Sequence, residues 1–248
     1  PPPPPSPAAP GDRLLDARGV RVTLGGRTVV RDVDLELRAG DVIALFGRNG
    51  AGKTTLLRAL AGLQQPSSGI VDARGRVAYV PQNPNTMLFS SSVRRELVET
   101  QRLLGAIDAA AVDRWLDALH LGELADEHPR SLSGGQRQRV AIAAVAVGGA
   151  PVLLLDEPTR GMDAPSRTAL EHAVREHAGG GGAVVLATHD VELAARIASH
   201  AVVLGDGEIV ADGDARTVLA GSLFAPQVLR VLPPFLTVEE VDAELARS

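Results

Sequence analysis

The chain has no cysteine. That excludes disulfides, thiolate metal sites and cysteine nucleophiles together. A chain of 248 residues buries enough surface to hold a core without such staples. It also has almost no lysine. Of its 25 basic residues 24 are arginine, and the only lysine is Lys53. A genome that prefers arginine codons explains the shortage but not which lysine remains. Acidic residues number 30, for a formal charge of −5. This balance weighs against a nucleic-acid protein, because phosphate binding depends on Lys and Arg. Long apolar runs are missing as well. The most apolar long run without charge, Val140 to Leu155, is broken by Gly148, Gly149 and Pro151. A spanning helix needs about 20 continuous apolar residues. No n-region and h-region of a signal peptide opens the chain, so the expected compartment is the cytoplasm. Any membrane role then runs through partners.

Residues 1–10, rich in proline, read as an extended linker or tail. The sequence starts without methionine. Either processing or origin as one half of a longer polypeptide, with the proline run as tether, accounts for this. From Gly19 the pattern turns to strands. Val20, Val22 and Leu24 alternate with polar residues, Gly25-Gly26 makes a turn, and Val33, Leu35 and Leu37 alternate again. Val42 to Phe46 is wholly apolar, as expected of a strand covered on both faces. A helix is predicted over 53–61 and a strand over 77–80. Ser92 and Ser133 read as N-caps of helices over 93–99 and 134–147, and a third helix over 108–119 carries Trp115. Strands return at 152–155, 183–187, 201–204 and 208–210, with helices over 165–178 and 190–198 between them. Alternating helices and short buried strands mean a layered α/β fold with a mainly parallel sheet. The helical block from about 84 to 148 is an insertion. Thr237 to Glu240 has the form of a capping box opening a last helix.

Two stretches carry chemistry. Gly47-Arg48-Asn49-Gly50-Ala51-Gly52-Lys53-Thr54, followed by Thr55, fits G-x-x-x-x-G-K-[ST] between a predicted strand and a predicted helix. The glycines let backbone N–H groups converge on one anion, and the helix N-terminus adds its dipole. Lys53 reaches the β- and γ-phosphates, and the Thr54 hydroxyl serves Mg²⁺. The apolar strand Val152 to Leu155 ends at Asp156-Glu157. An aspartate there holds Mg²⁺ beside a phosphate loop. Glu157, one residue on, is placed to polarise a water for in-line attack.

With Leu132-Ser133-Gly134-Gly135-Gln136 the sequence resembles the ATP-binding cassette ATPases, whose signature motif this matches. Gln82 in Val80-Pro-Gln82 is similar to the family's Q-loop glutamine, Gly161-Met-Asp163 to its D-loop and Thr188-His189 to its switch histidine. The resemblance covers residues 19 to about 215. It implies a P-loop NTPase core, an antiparallel N-terminal β subdomain and an inserted helical subdomain, with a cassette over 11–214 and a C-terminal extension over 215–248. It implies ATP hydrolysis with Mg²⁺ held by Thr54, Gln82 and Asp156, and with Glu157, His189 and Gln82 as catalytic residues. It also implies that the signature of one cassette closes over the γ-phosphate held by a second, head-to-tail cassette. Leu24 stands where cassettes usually carry the aromatic residue that stacks on adenine. The remaining five histidines, at 120, 128, 172, 177 and 200, lack metal-ligand spacing and read as surface residues.

The stretch Val80 to Leu97 resembles the energy-coupling factor ATPases, which drive import of vitamins or of cobalt and nickel ions. There a short helix after the Q-loop docks on a transmembrane partner. Met87, Leu88 and Phe89 suit such a contact or local core packing. Asn85 and Thr86 replace the acidic residues usual before Leu-Phe. Residues 222–232 and 236–241 look like the group's C-terminal extension, and Glu157 to Asp163 resembles the second half of its two-cassette fusions. The partners implied are a second cassette, an integral membrane subunit and a substrate-binding membrane subunit, without nucleic acid. The chain would then lie peripherally at the cytoplasmic face of the membrane. The alternatives are the ATPase of another importer or exporter, or a soluble cassette acting on ribosomes or DNA.

Overall fold

A computed structural model describes residues 11–105, 107–221 and 236–245. Two sheets share the β structure. β1 (Arg13–Leu24), β2 (Arg27–Arg38) and β4 (Ser68–Ala73) form an antiparallel sheet in the order β2-β1-β4. The turn at Gly25-Gly26 joins β1 to β2, and Leu24 pairs with Arg27 across it. β3 (Val42–Gly47), β5 (Val77–Val80), β6 (Val152–Asp156), β7 (Ala183–Ala187), β8 (His200–Gly205) and β9 (Glu208–Asp214) form the second sheet. Its order is β5-β6-β7-β3-β8-β9, parallel except for β9.

The parallel strands are buried on both faces, and their side chains alternate between two cores. In β6, Val152 and Leu154 face the antiparallel sheet and α1 (Lys53–Leu60), against Leu56, Leu57 and Leu60. Leu153 and Leu155 face the helical side, which holds α2 (Val93–Leu103), α3 (Ala109–Ala118), α4 (Gly134–Ala146), α5 (Ala164–Gly179) and α6 (Val191–Ile197). α7 (Ala215–Gly221) and α8 (Val238–Leu245) close the described chain.

Several boundaries differ from the sequence expectation. β1 starts at Arg13 instead of Gly19, because Leu14, Leu15 and Ala17 are buried against the second core. β4 was not expected at all. Only its backbone pairing to β1 makes it a strand, since every residue in it is exposed or half-buried. α2 runs to Leu103 instead of Glu99, and Gln101, buried inside its last turn, bonds the Asp108 and Val147 carbonyls. The Thr237 hydroxyl accepts from the Glu240 amide at 3.3 Å, but Glu240 does not close the box. Its carboxylate accepts from the Leu236 amide at 2.7 Å and pairs with Arg216 at 2.8 Å, which ties α8 to α7. The tail of 222–232 lies outside the described residues.

Candidate active site

The phosphate loop leaves the C-terminal end of β3 and enters α1 through Gly52. Gly52 has φ of 105°, and a Cβ there would meet the Val29 carbonyl at 2.8 Å. Only glycine satisfies both constraints. No side chain caps α1 and no acid stands in its first turn, so its leading N–H groups are left for an anion. Lys53 is only 8% exposed, and its Nζ donates to the Gly47 carbonyl at 2.6 Å. The loop thus holds its own ammonium group over the anion position.

Asp156 ends β6 and faces Thr54. The Thr54 hydroxyl donates to Asp156 Oδ2 at 2.7 Å, and the Tyr79 hydroxyl donates to the same oxygen at 3.1 Å. Burial pushes the Asp156 carboxyl above the usual carboxylate range, against the pull of these two donors. Burial and the Asp156 charge also raise the Tyr79 phenol, so it stays a neutral donor. Tyr79 is a site residue that the motifs do not mark. Its place one residue before the end of β5, paired with Leu154 of β6, is the only signal.

Glu157 is buried and has φ of 50°, an uncommon conformation for a non-glycine residue. Its amide donates to the Ala187 carbonyl at 2.8 Å, which ties the residue after β6 to the end of the parallel strand β7. His189 Nδ1 lies 2.7 Å from Glu157 Oε2, off the line of the ring N–H, so that oxygen has no well-directed donor. Asp190 caps α6, accepting from the Leu193 amide at 3.0 Å.

A cleft of about 380 Å³ gathers these groups. Arg48, Asn49, Gly50, Gly52, Lys53, Thr54, Thr55, Gln82, Asp156 and Glu157 line it, and Val29 joins them from β2. Leu24 does not line it. That side chain sits at the exposed end of β1. The oxygen donors Thr54 and Asp156 suit a hard cation that takes one or two protein oxygens and completes its shell with phosphate and water. No cluster of three or more His, Cys, Asp or Glu side chains able to hold a metal occurs among the described residues, so no all-protein cage competes with that arrangement.

The signature stands apart from this cleft. Ser133 caps α4, accepting from the Gln136 amide at 3.2 Å, while the Gln136 side chain accepts from the Ser133 amide at 2.8 Å. Leu132 is buried, Ser133 and Gly134 are exposed, and nothing stands within 4 Å of a Cβ built on Gly134. Gly135 packs on the D-loop, where a Cβ would meet the Gly161 carbonyl at 2.8 Å. Asp163 caps α5 through the Ser166 amide at 2.9 Å, and the Ser166 contacts hold its carboxyl below the usual range.

Two other expectations change. Of the three apolar residues after Gln82, Leu88 is buried in the helical core, Met87 packs partly against it, and Phe89 is 78% exposed. The only helical turn there, Pro84–Thr86, precedes them. Glu96 holds the segment by accepting from the Phe89 and Ser90 amides at 3.0 and 2.7 Å. His177 is no surface residue. It packs against Trp115 with ring centroids 6.4 Å apart, and burial lowers its imidazole below the usual range.

A buried parallel sheet, a lysine-bearing loop at a helix N-terminus and an adjacent Asp-Glu pair define a P-loop nucleoside-triphosphatase. A family profile described as "ABC transporter" matches residues 30–160. An ABC transporter ATP-binding protein of Streptomyces coelicolor is 42% identical over 259 residues, covering 96% of this chain and 45% of that protein. The hemin import ATP-binding protein HmuV of the same organism is 40% identical, covering 90% of this chain and 86% of that protein. The solved structure of cbiO1 from Clostridium perfringens, described as part of the ABC transporter complex cbiONQ, superposes with a TM-score of 0.75 at 26% identity, covering 90% and 96%. The chain belongs to the ABC transporter family and has the fold of its ATPases. It spans about half the length of the two Streptomyces relatives of 42% identity. No helix among the described residues is long and apolar enough to cross a membrane.

Proposed function

We propose that the chain is an ATP-hydrolysing subunit of a membrane importer of the energy-coupling factor type, acting peripherally at the cytoplasmic face. The observation that carries the reading is the convergence of Lys53, Thr54, Gln82, Asp156 and Glu157 on one cleft. Lys53 and the α1 amides bind the β- and γ-phosphates. Thr54 and Asp156, with Gln82 at the cleft wall, would hold Mg²⁺, which neutralises phosphate charge when bound with the nucleotide. Glu157 orients the attacking water and takes its proton on Oε2, the oxygen without a well-directed donor. His189 stands at the exposed side of that carboxylate.

The exposed Ser133 and Gly134 lie outside the cleft of their own chain, which supports a role toward nucleotide held by a second cassette. Relatives twice as long leave room for that cassette within one polypeptide. Phe89 offers an exposed apolar contact for a membrane subunit. The neighbouring cbiO1 is part of a multisubunit transporter complex, which favours the energy-coupling factor reading and, with it, a vitamin or a cobalt or nickel ion as cargo. The names of the hemin and aliphatic sulfonate relatives favour import over export and keep other importer types as the second reading. Affinity purification from membranes tests this. Recovery with an integral membrane subunit and a small membrane-embedded binding subunit is expected. Recovery with ribosomes or DNA and no membrane protein would overturn it.

A further inference from the structure

A second cleft, of about 410 Å³, lies between α3 and α5, away from the nucleotide site. Pro151 and Gly182 line it, and they immediately precede β6 and β7. The nucleotide residues follow the opposite ends of the parallel strands. Five residues of strand therefore separate the two sites by about 16 Å. The volume falls in the range of small-molecule pockets.

Its walls are built from elements distant in sequence. Trp115 of α3 packs against His177 of α5 in a tilted contact, with 45° between the ring planes. Leu14 of β1 and Ala173 of α5 add apolar surface. The glycine turn after α5 shapes one side. A Cβ on Gly182 would come within 2.3 Å of His177 Nε2, so a larger residue there would displace the imidazole. That Nε2 is buried against the turn, and the Pro151 backbone also acts on the ring. Burial keeps the imidazole neutral, so positive charge comes from the two arginines of the cleft.

Those arginines differ. Arg74 is held by Asp12 at 2.6 Å. Arg114 reaches its acid, Asp108, only at 3.4 Å, with both side chains more than half exposed. Arg114 is thus the cation that a ligand can recruit. Glu176 also lines the cleft and opposes a dianion such as phosphate. An indole in the wall, one loosely held guanidinium and one carboxylate together select a ring bearing a single negative charge.

We propose that this cleft is a second ligand site that takes a planar aromatic carboxylate, with its ring against Trp115 and its carboxylate on Arg114. Trp115 is the only tryptophan in the chain, so its fluorescence reports the site directly. Benzoate, titrated into the full chain, is expected to give a saturable change with Kd of about 1 mM or tighter, as suits so small a ligand. Benzamide, which has the same ring without the charge, should bind at least tenfold more weakly. Arg114→Ala should weaken benzoate about tenfold and Arg114→Glu should abolish it. Both substitutions fall on an exposed side chain and leave the fold intact. Saturating ADP should leave the benzoate Kd unchanged within about twofold. The proposal is overturned by a linear, non-saturating response to benzoate, by equal affinity for benzamide, by wild-type affinity in Arg114→Glu, or by displacement with ADP.

Discussion

His189 Nδ1 stands 2.7 Å from Glu157 Oε2, where the C-terminal ends of the parallel strands β6 and β7 lie side by side. The pair connects a buried carboxylate to a side chain that is 76% exposed. Glu157→Gln preserves the size and the backbone conformation but removes the base. Steady-state ATP hydrolysis should fall by about 10²- to 10⁴-fold while nucleotide affinity changes little. Parallel measurement of turnover and of fluorescent-nucleotide binding separates the two. Undiminished turnover would contradict the role of Glu157.

Asp156 is held at a cost. Burial raises its carboxyl above the unfolded value, so its contribution to stability is fully present below that value and is lost as pH rises through the folded one. At neutral pH the ionised group is unfavourable in the nucleotide-free protein. Asp156→Asn should therefore raise the melting temperature at pH 7. The advantage should fade as the pH approaches 4. The same variant should lose Mg²⁺-dependent tightening of nucleotide binding. A melting temperature below wild type at pH 7 would refute the burial argument.

Lys53 sits in a space that fits a compact ammonium, 2.6 Å from the Gly47 carbonyl and 8% exposed. A guanidinium is larger and its fork suits one carboxylate or phosphate group at a time. Lys53→Arg should weaken nucleotide binding at least about tenfold despite the retained charge. Wild-type affinity in calorimetric titration would count against this.

Gly134 and Gly135 make a matched pair of tests. At Gly135 an added methyl meets the Gly161 carbonyl at 2.8 Å and the Met162 Cα at 3.1 Å, both backbone atoms. Overpacking of this kind costs about 1–3 kcal/mol, more than the gain of about 1 kcal/mol from replacing a helical glycine. Gly135→Ala should lower the melting temperature. At Gly134 nothing stands nearby, so Gly134→Ala should not lower it, yet should reduce hydrolysis if a partner's nucleotide closes on this surface. Unimpaired turnover in Gly134→Ala would sink that role.

The order of the elements and the chemistry of the cleft are legible along the chain. The alternation of β1 and β2, the apolar runs of β3, β6 and β7, and the caps at Ser92 and Ser133 all act within a few residues, where spacing and side-chain hydrogen bonds decide the outcome. Lys53, the one lysine, was already singled out by composition, and the structure adds the 2.6 Å contact that makes its shape matter. What only the tertiary structure decided depends on residues far apart in the chain. β4 is a strand solely because β1 pairs with it. Tyr79 reaches Asp156 because β5 and β6 are neighbours in the sheet. Val29, not Leu24, borders the nucleotide cleft because β2 passes over Gly52. His177 left the surface because α3 brings Trp115 against it. Local patterns specify which groups exist and which helix or strand carries them. Which groups meet is set by burial and backbone pairing summed over the whole fold.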